Sequence, residues 1–272
     1  MPREITAYSN PLVKRVRNLR DKRHRKDEGL FLAEGLRILA EAEETGVLPL
    51  WLFFAADGAG HPIVRRLVAK VEAAGGEAIE TTRDILHKLS GKENPQTVIG
   101  VYQQPDTGLN RIDRSSAPIW LVAQAMRDPG NLGTMLRTGD AVGAGGLILI
   151  DDTVDPFSVE AVRASMGALF TQTIAQARWP DFLAWLRAGP GLLVATHLEA
   201  SVDYRVPDYP APTFLLIGNE AQGLPADYAA AADVRVKIPM RGRADSLNAA
   251  VACAVMAYEV LGRIEKIREP LG

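Results

Sequence analysis

FLLIGNEAQGLPADY, residues 214–228, is an apolar run of strand length that ends in a glycine, a polar pair and a second glycine. A strand with no polar alternation is buried on both faces, as in a parallel sheet covered by helices. Gly218 and Gly223, flanking Asn219 and Glu220, would let a ligand approach the backbone closely at the carboxyl edge of that strand, where open α/β sheets bind ligands. Similar runs stand on either side of it: IWLVA (119–123), GLILI (146–150), LLVAT (192–196) and VRVKI (234–238). Helical stretches separate them, which predicts an α/β domain built on a mostly parallel sheet.

Two further strand ends carry glycine and polar residues. In AQAMRDPGNLGTMLRTGDAVGAGG (123–146), Pro129 and Gly130 make a turn and Asn131 to Ala141 reads as a helix ended by Gly143. Asn131 and Arg137 are nearly two turns apart and can look toward the same strand end. GAGG (143–146) is not a dinucleotide loop, because its glycines close a helix and precede a strand instead of following one. No GxxxxGK[ST] motif is present either. In VRVKIPMRGRADSLNAAVACAVMAYEV (234–260) a strand and a glycine loop lead into Ser246, Leu247 and Asn248 at the start of a long apolar helix. There Asp245 or Ser246 could serve as a cap, and the face bearing Val251, Val255 and Tyr258 must pack on something large.

The N-terminal part reads as a smaller α/β domain. Residues 10–26 are basic and helical, and EGLRILAEAEETG places apolar Leu36 and Leu39 opposite acidic Glu43 and Glu44 on a helix ended by Gly46. Strands fit residues 48–55 and 97–103, and a helix fits 61–76. Polar, proline-containing QQPDTGLNRIDRSSAP (103–118) is the linker candidate. The expected division is an N-terminal domain over 1–105, a linker over 106–116 and a C-terminal domain over 117–272. Removal of residues 1–105 should then leave a folded C-terminal domain.

With 272 residues, 47% of them hydrophobic, the chain can bury sizeable cores. Cys253 is alone, which excludes an intramolecular disulfide, and it sits in an apolar helix as a small hydrophobe. The four histidines lack metal-ligand spacing, so no metal is expected. No apolar run approaches the about 20 residues of a membrane span, and the N-terminus lacks a signal-peptide core. The protein is expected in the cytoplasm. Net charge is only −2, yet residues 1–26 hold nine Lys and Arg against Glu4 and Asp21. Such a segment can neutralise phosphates, and Lys14, Arg15, Arg17, Arg23 and Arg25 are the candidate nucleic-acid contacts, which the resemblance given below makes RNA contacts.

Taken in order, DPGNLGTMLRT (128–138), IGNEAQGL (217–224) and IPMRGRADSLN (238–248) resemble the three motifs of the SpoU/TrmH family of SPOUT methyltransferases. SNPLVKRVRNLRDKRHRKDEGLFLAEGLRIL (9–39) is similar to the substrate-binding domain of family members, whose small α/β fold is shared with a ribosomal protein. One departure is Ala249-Ala250 after the SLN triplet, where many members have Val-Ser.

The resemblance implies a C-terminal SPOUT domain with a deep trefoil knot and an S-adenosylmethionine-dependent enzyme that methylates a ribose 2'-hydroxyl in RNA. The extra N-terminal domain favours ribosomal RNA over tRNA. By resemblance the cofactor is held by Thr196, Gly218, Asn219, Ile238, Met240, Ser246 and Leu247. The implied catalytic residues are Asn131, Arg137, Glu220, Ser246 and Asn248. Family proposals make Arg137 the base, a role chemically awkward for a guanidinium; a phosphate clamp or alkoxide stabiliser is the alternative. Family members dimerise through the C-terminal domain, which implies a homodimer. A non-catalytic RNA-binding protein and a base methyltransferase are the competing readings.

Overall fold

The computed structural model describes residues 2–91, 96–200, 202–219 and 221–268. Two compact units emerge: residues 1–105 with 155–171, and residues 106–154 with 172–272.

The first unit runs β1 (Arg3–Ile5), α1 (Pro11–Asn18), α2 (Lys22–Glu28), β2 (Leu30–Glu34), α3 (Leu36–Glu44), β3 (Trp51–Ala55), α4 (Pro62–Ala73), β4 (Glu77–Thr81), α5 (Arg83–Ser90) and β5 (Val98–Gln103). Its sheet has the order β1-β4-β3-β5-β2, with β5 antiparallel to both neighbours and the other pairs parallel. The basic segment forms two helices, not one, because the Asp21 side chain accepts from the Arg23 and His24 N–H groups and starts a second helix. α1 is capped in turn by Asn10, with Pro11 at its first position, and buries Val13 and Val16 against Ile85, Leu86 and Leu89 of α5.

Two expectations for this unit are corrected. Glu43 does not share a solvent face with Glu44: it is buried, and Arg66 and Lys70 reach in to it at 2.8 and 2.7 Å. Burial pulls its carboxyl upward, but the two cations outweigh that and hold it below the ordinary carboxylate range. Arg25, expected to contact RNA, is 3% exposed. Its guanidinium donates to the carbonyls of Leu19 and Arg20, each at 2.8 Å, and pairs with Asp155 at 2.7 Å. A buried cation satisfied by two carbonyls and a carboxylate is a packing element and cannot reach a phosphate.

Residues 155–171 belong to this unit, although they lie far along the chain. Arg163 pairs with buried Glu34 at 2.7 Å, and Val159 joins the core beneath β2 and β5. Phe157 and Phe170 close an aromatic cluster with Phe31 and Tyr102.

The second unit comprises β6 (Ile119–Gln124), α6 (Pro129–Ala141), β7 (Gly146–Ile150), β8 (Thr173–Ala177), α8 (Trp179–Arg187), β9 (Leu192–Thr196), β10 (Val202–Asp203), β11 (Thr213–Ile217), α9 (Ala226–Ala231), β12 (Val234–Lys237) and α10 (Ala249–Arg268); α7 (Val159–Ser165) lies between β7 and β8 in sequence. The seven strands run in the order β10-β12-β9-β11-β6-β7-β8 and are all parallel. The five apolar runs thus become strands β6, β7, β9, β11 and β12, three of them (β9, β11, β6) adjacent at the sheet centre. α6 begins two residues earlier than the sequence suggested, because Asp128 accepts from the Asn131 N–H at 2.7 Å and Pro129 occupies the first turn. The glycines before β7 serve packing: a Cβ on Gly146 would stand 1.9 Å from the Thr173 carbonyl oxygen. Cys253 is fully buried in α10, and burial pushes its thiol up to about 12, leaving it inert.

Candidate active site

Adjacent strands β12, β9 and β11 end at one edge of the sheet, and their exits open into a cavity of about 240 Å³. Thr196, Gly218, Asn219, Ile238, Met240, Ser246 and Leu247, all seven expected cofactor contacts, line it. Sequence reasoning missed His197, Leu198 and Lys237, which also line it. The sequence offers one signal for Leu198, a large apolar residue just past the end of the LLVAT run, and the structure leaves it 64% exposed.

The loop after β11 owes its shape to Gly218 and Asn219. A Cβ on Gly218 would lie 2.5 Å from both the Gly223 carbonyl carbon and the Leu224 nitrogen, so only glycine lets the loop fold back on itself. The Gly223 N–H donates to the Asn219 carbonyl at 2.9 Å. The Asn219 side chain accepts from the Ala221 and Gln222 N–H groups at 2.9 and 3.2 Å, and its amide donates to the Ala125 carbonyl at 2.7 Å. Its polar atoms are therefore engaged in holding this loop to the end of β6, and backbone groups are left to meet a ligand. Ala125 itself is strained, at φ 46°.

The loop before α10 ends at Asn248, whose side-chain oxygen Oδ1 accepts from the Ala250 and Val251 N–H groups at 2.9 and 3.3 Å. Its amide donates to the Asn131 side-chain oxygen at 2.9 Å, so the first turns of α6 and α10 are joined through two expected catalytic residues. Ser246, two residues before Asn248, lines the cavity. Arg137 is exposed on α6, and the cavity lining does not include it. Glu220 lies outside the described residues. Of the expected RNA contacts, Lys14, Arg15, Arg17 and Arg23 are exposed, with Arg15 paired to Glu28 at 2.6 Å.

Chemically, the cavity combines apolar walls from Ile217, Leu198, Ile238, Met240 and Leu247 with strand-end backbone groups and a glycine cradle. That set fits a flat nucleoside with a short polar tail, and it offers no phosphate-binding loop. Among the described residues no three His, Cys, Asp or Glu side chains gather as a metal site. No helix among them is long and apolar enough to cross a membrane.

Comparison with known proteins agrees with this geometry. Residues 118–258 match the model of the SpoU rRNA Methylase family, and residues 10–100 match that of the MRM3-like substrate binding domain. A crystal structure of an AdoMet-bound rRNA methyltransferase from Sinorhizobium meliloti superposes with a TM-score of 0.88 at 42% identity, covering 95% of this chain and 97% of that one. The SpoU methyltransferase AviRb from Streptomyces viridochromogenes, in complex with AdoMet, gives 0.86 at 30% identity, over 96% of this chain and all of that one. The 23S rRNA (guanosine(2553)-2'-O)-methyltransferase RlmP of Bacillus subtilis is 28% identical, over 96% of this chain and its own full length. On motif, fold and cavity together, the chain belongs to the SpoU rRNA methylase family.

Proposed function

We propose that the protein is an S-adenosylmethionine-dependent methyltransferase that modifies a ribose 2'-hydroxyl in ribosomal RNA. The observation that carries this reading is the convergence of all seven expected cofactor contacts on one cavity at the sheet edge. The relatives named as 23S rRNA 2'-O-methyltransferases support the choice of ribose and of ribosomal RNA. Residues 1–105, with 155–171 packed into the same unit, would supply RNA binding, 106–116 the linker and the rest of 117–272 the methyltransferase domain; the match of residues 10–100 to a substrate-binding model supports this. The same family membership supports a deep trefoil knot in the second unit, and a ribosomal substrate supports a cytoplasmic location.

When bound, the cofactor supplies an electrophilic methyl group on a sulfonium. The chain's own residues must hold the ribose in line with it and ease proton loss from the hydroxyl. Gly218, Ile238 and Leu247 offer backbone groups to the cofactor. Asn248, fixed by its cap to α10, orients Asn131, and Ser246 borders the cavity beside them. Arg137, exposed and cationic, suits a clamp on the target phosphate or a stabiliser of developing alkoxide better than a base. Glu220 keeps its place in the catalytic set on motif grounds. Homodimerisation belongs to the same reading, supported by the exposed apolar residues Leu247, Val251 and Tyr258 at the start and along one side of α10.

Calorimetry tests the assignment of roles. S-adenosylmethionine should bind without added metal, and Arg137→Ala should abolish methyl transfer while leaving cofactor affinity nearly intact. Absence of cofactor binding, or near-normal turnover in the variant, would overturn it.

A further inference from the structure

Tyr8, in the turn before α1, is 41% exposed, and the Lys88 ammonium of α5 sits 3.7 Å from its ring centroid. α1 and α5 pack side by side through Val13, Val16, Ile85, Leu86 and Leu89, so their outer surfaces form one continuous face. The Arg20 guanidinium lies over Gly91, the left-handed residue that ends α5, where the helix dipole favours a cation. Lys14 and Arg17 point outward from α1. Among the described residues, Lys14, Arg17, Arg20 and Lys88 meet no carboxylate at ion-pair distance, in contrast to Arg15 and Arg25. Lost hydration, then the Asp84 charge and its hydrogen bond with the Tyr8 hydroxyl, hold that hydroxyl above its ordinary value.

We propose that Tyr8, backed by Lys88, is a base-stacking platform within a basic face formed by α1 and α5, and that it takes an unpaired nucleotide of RNA. The proposal rests on the reading of the first unit as the RNA-binding part. Lys88 over the ring leaves an exposed aromatic beside a cation, the pairing with which single-stranded nucleic acid is held: the base stacks, and its phosphate meets the charge. Duplex RNA offers no free base face, so the site selects a loop or strand end. The basic run of the sequence pointed only to α1 and α2; Tyr8 and Lys88 join it through the packing of α5.

Fluorescence anisotropy of the full-length protein, with a labelled oligouridylate of about 12 nucleotides and a blunt RNA duplex at several salt concentrations, tests this. Tyr8→Ala and Tyr8→Leu should each weaken oligouridylate binding about five- to hundredfold. Their salt dependence and duplex affinity should match the parent, and Tyr8→Phe should bind as the parent does. The leucine retains apolar bulk beside Lys88, so a shared loss in both variants reports the missing aromatic face. The double variant Lys14→Ala, Arg17→Ala should weaken both RNAs and lower the salt slope by about two. If that variant loses affinity while Tyr8→Ala and Tyr8→Leu stay within about twofold of the parent, the platform is refuted and the RNA-binding role of the unit stands. A changed salt slope in Tyr8→Leu also refutes stacking, since it would mean that the ring only places a charge. If the double variant binds both RNAs as the parent does, the RNA-binding reading of the unit fails, and the platform with it.

Discussion

Arg25 and Lys14 are both cations in the same basic run, yet they do opposite work. Arg25 neutralises Asp155 and satisfies the carbonyls that end α1, from a position closed to solvent. Truncation would leave the partly buried Asp155 without its cation and the Leu19 and Arg20 carbonyls without their donor, so Arg25→Ala should cost about 3 kcal/mol of stability. Lys14→Ala should leave the melting temperature within a degree or so and weaken RNA binding instead. Thermal melts read beside anisotropy check the pair, and equal melting of the two variants would contradict the assignment. The sequence displays charge but not burial, so the two residues look alike until the partner 130 residues away is placed. Asn219 is a milder instance: its position in the loop was readable, but the engagement of its amide with Ala125 was not.

Strands β6, β7, β9 and β11 were legible because burial on both faces leaves a run of apolar residues with no alternation to confuse. β4 (EAIET) and β8 (TIAQA) mix polar and apolar residues, and β10 has only two residues, so none stands out from a loop. The motifs were legible for a different reason: each is a strand exit whose glycine or asparagine is demanded by local geometry, as Gly218 and Asn248 show. α10 carries a further consequence. Val251 is 48% and Tyr258 56% exposed, two turns apart on one side, while Cys253, Met256, Ala257 and Val260 are buried on the other. Covering that side with a second copy accounts for its composition. Light scattering at micromolar concentration should give twice the 29.5 kDa chain mass, and Val251→Arg with Tyr258→Glu should return it to one. A parent protein of single-chain mass that still methylates RNA would contradict the dimer.

At the scale of the whole molecule, the chain's division is not a single cut. Residues 155–171 bring Asp155, Phe157, Val159, Arg163 and Phe170 into the first unit, and no local signal marks them, because their partners Arg25, Glu34 and Phe31 are over a hundred residues away. Removal of residues 1–105 alone should therefore expose an apolar segment with two unpaired charges. Such a fragment should aggregate or bind a hydrophobic dye, whereas the same fragment with 155–171 replaced by a short glycine-serine linker should stay monodisperse and bind S-adenosylmethionine. Equal behaviour of the two fragments would show that the segment contributes little to either. The proposed chemistry takes place on RNA at the second unit's cavity. Unmodified ribosomal RNA incubated with the protein and S-adenosylmethionine, then digested to nucleosides and weighed by mass spectrometry, tests that directly. A single new nucleoside with its added methyl on the ribose, absent with Arg137→Ala, is the expected product; a methyl on the base, or no methylated nucleoside from protein that binds both RNA and cofactor, would overturn the proposed function.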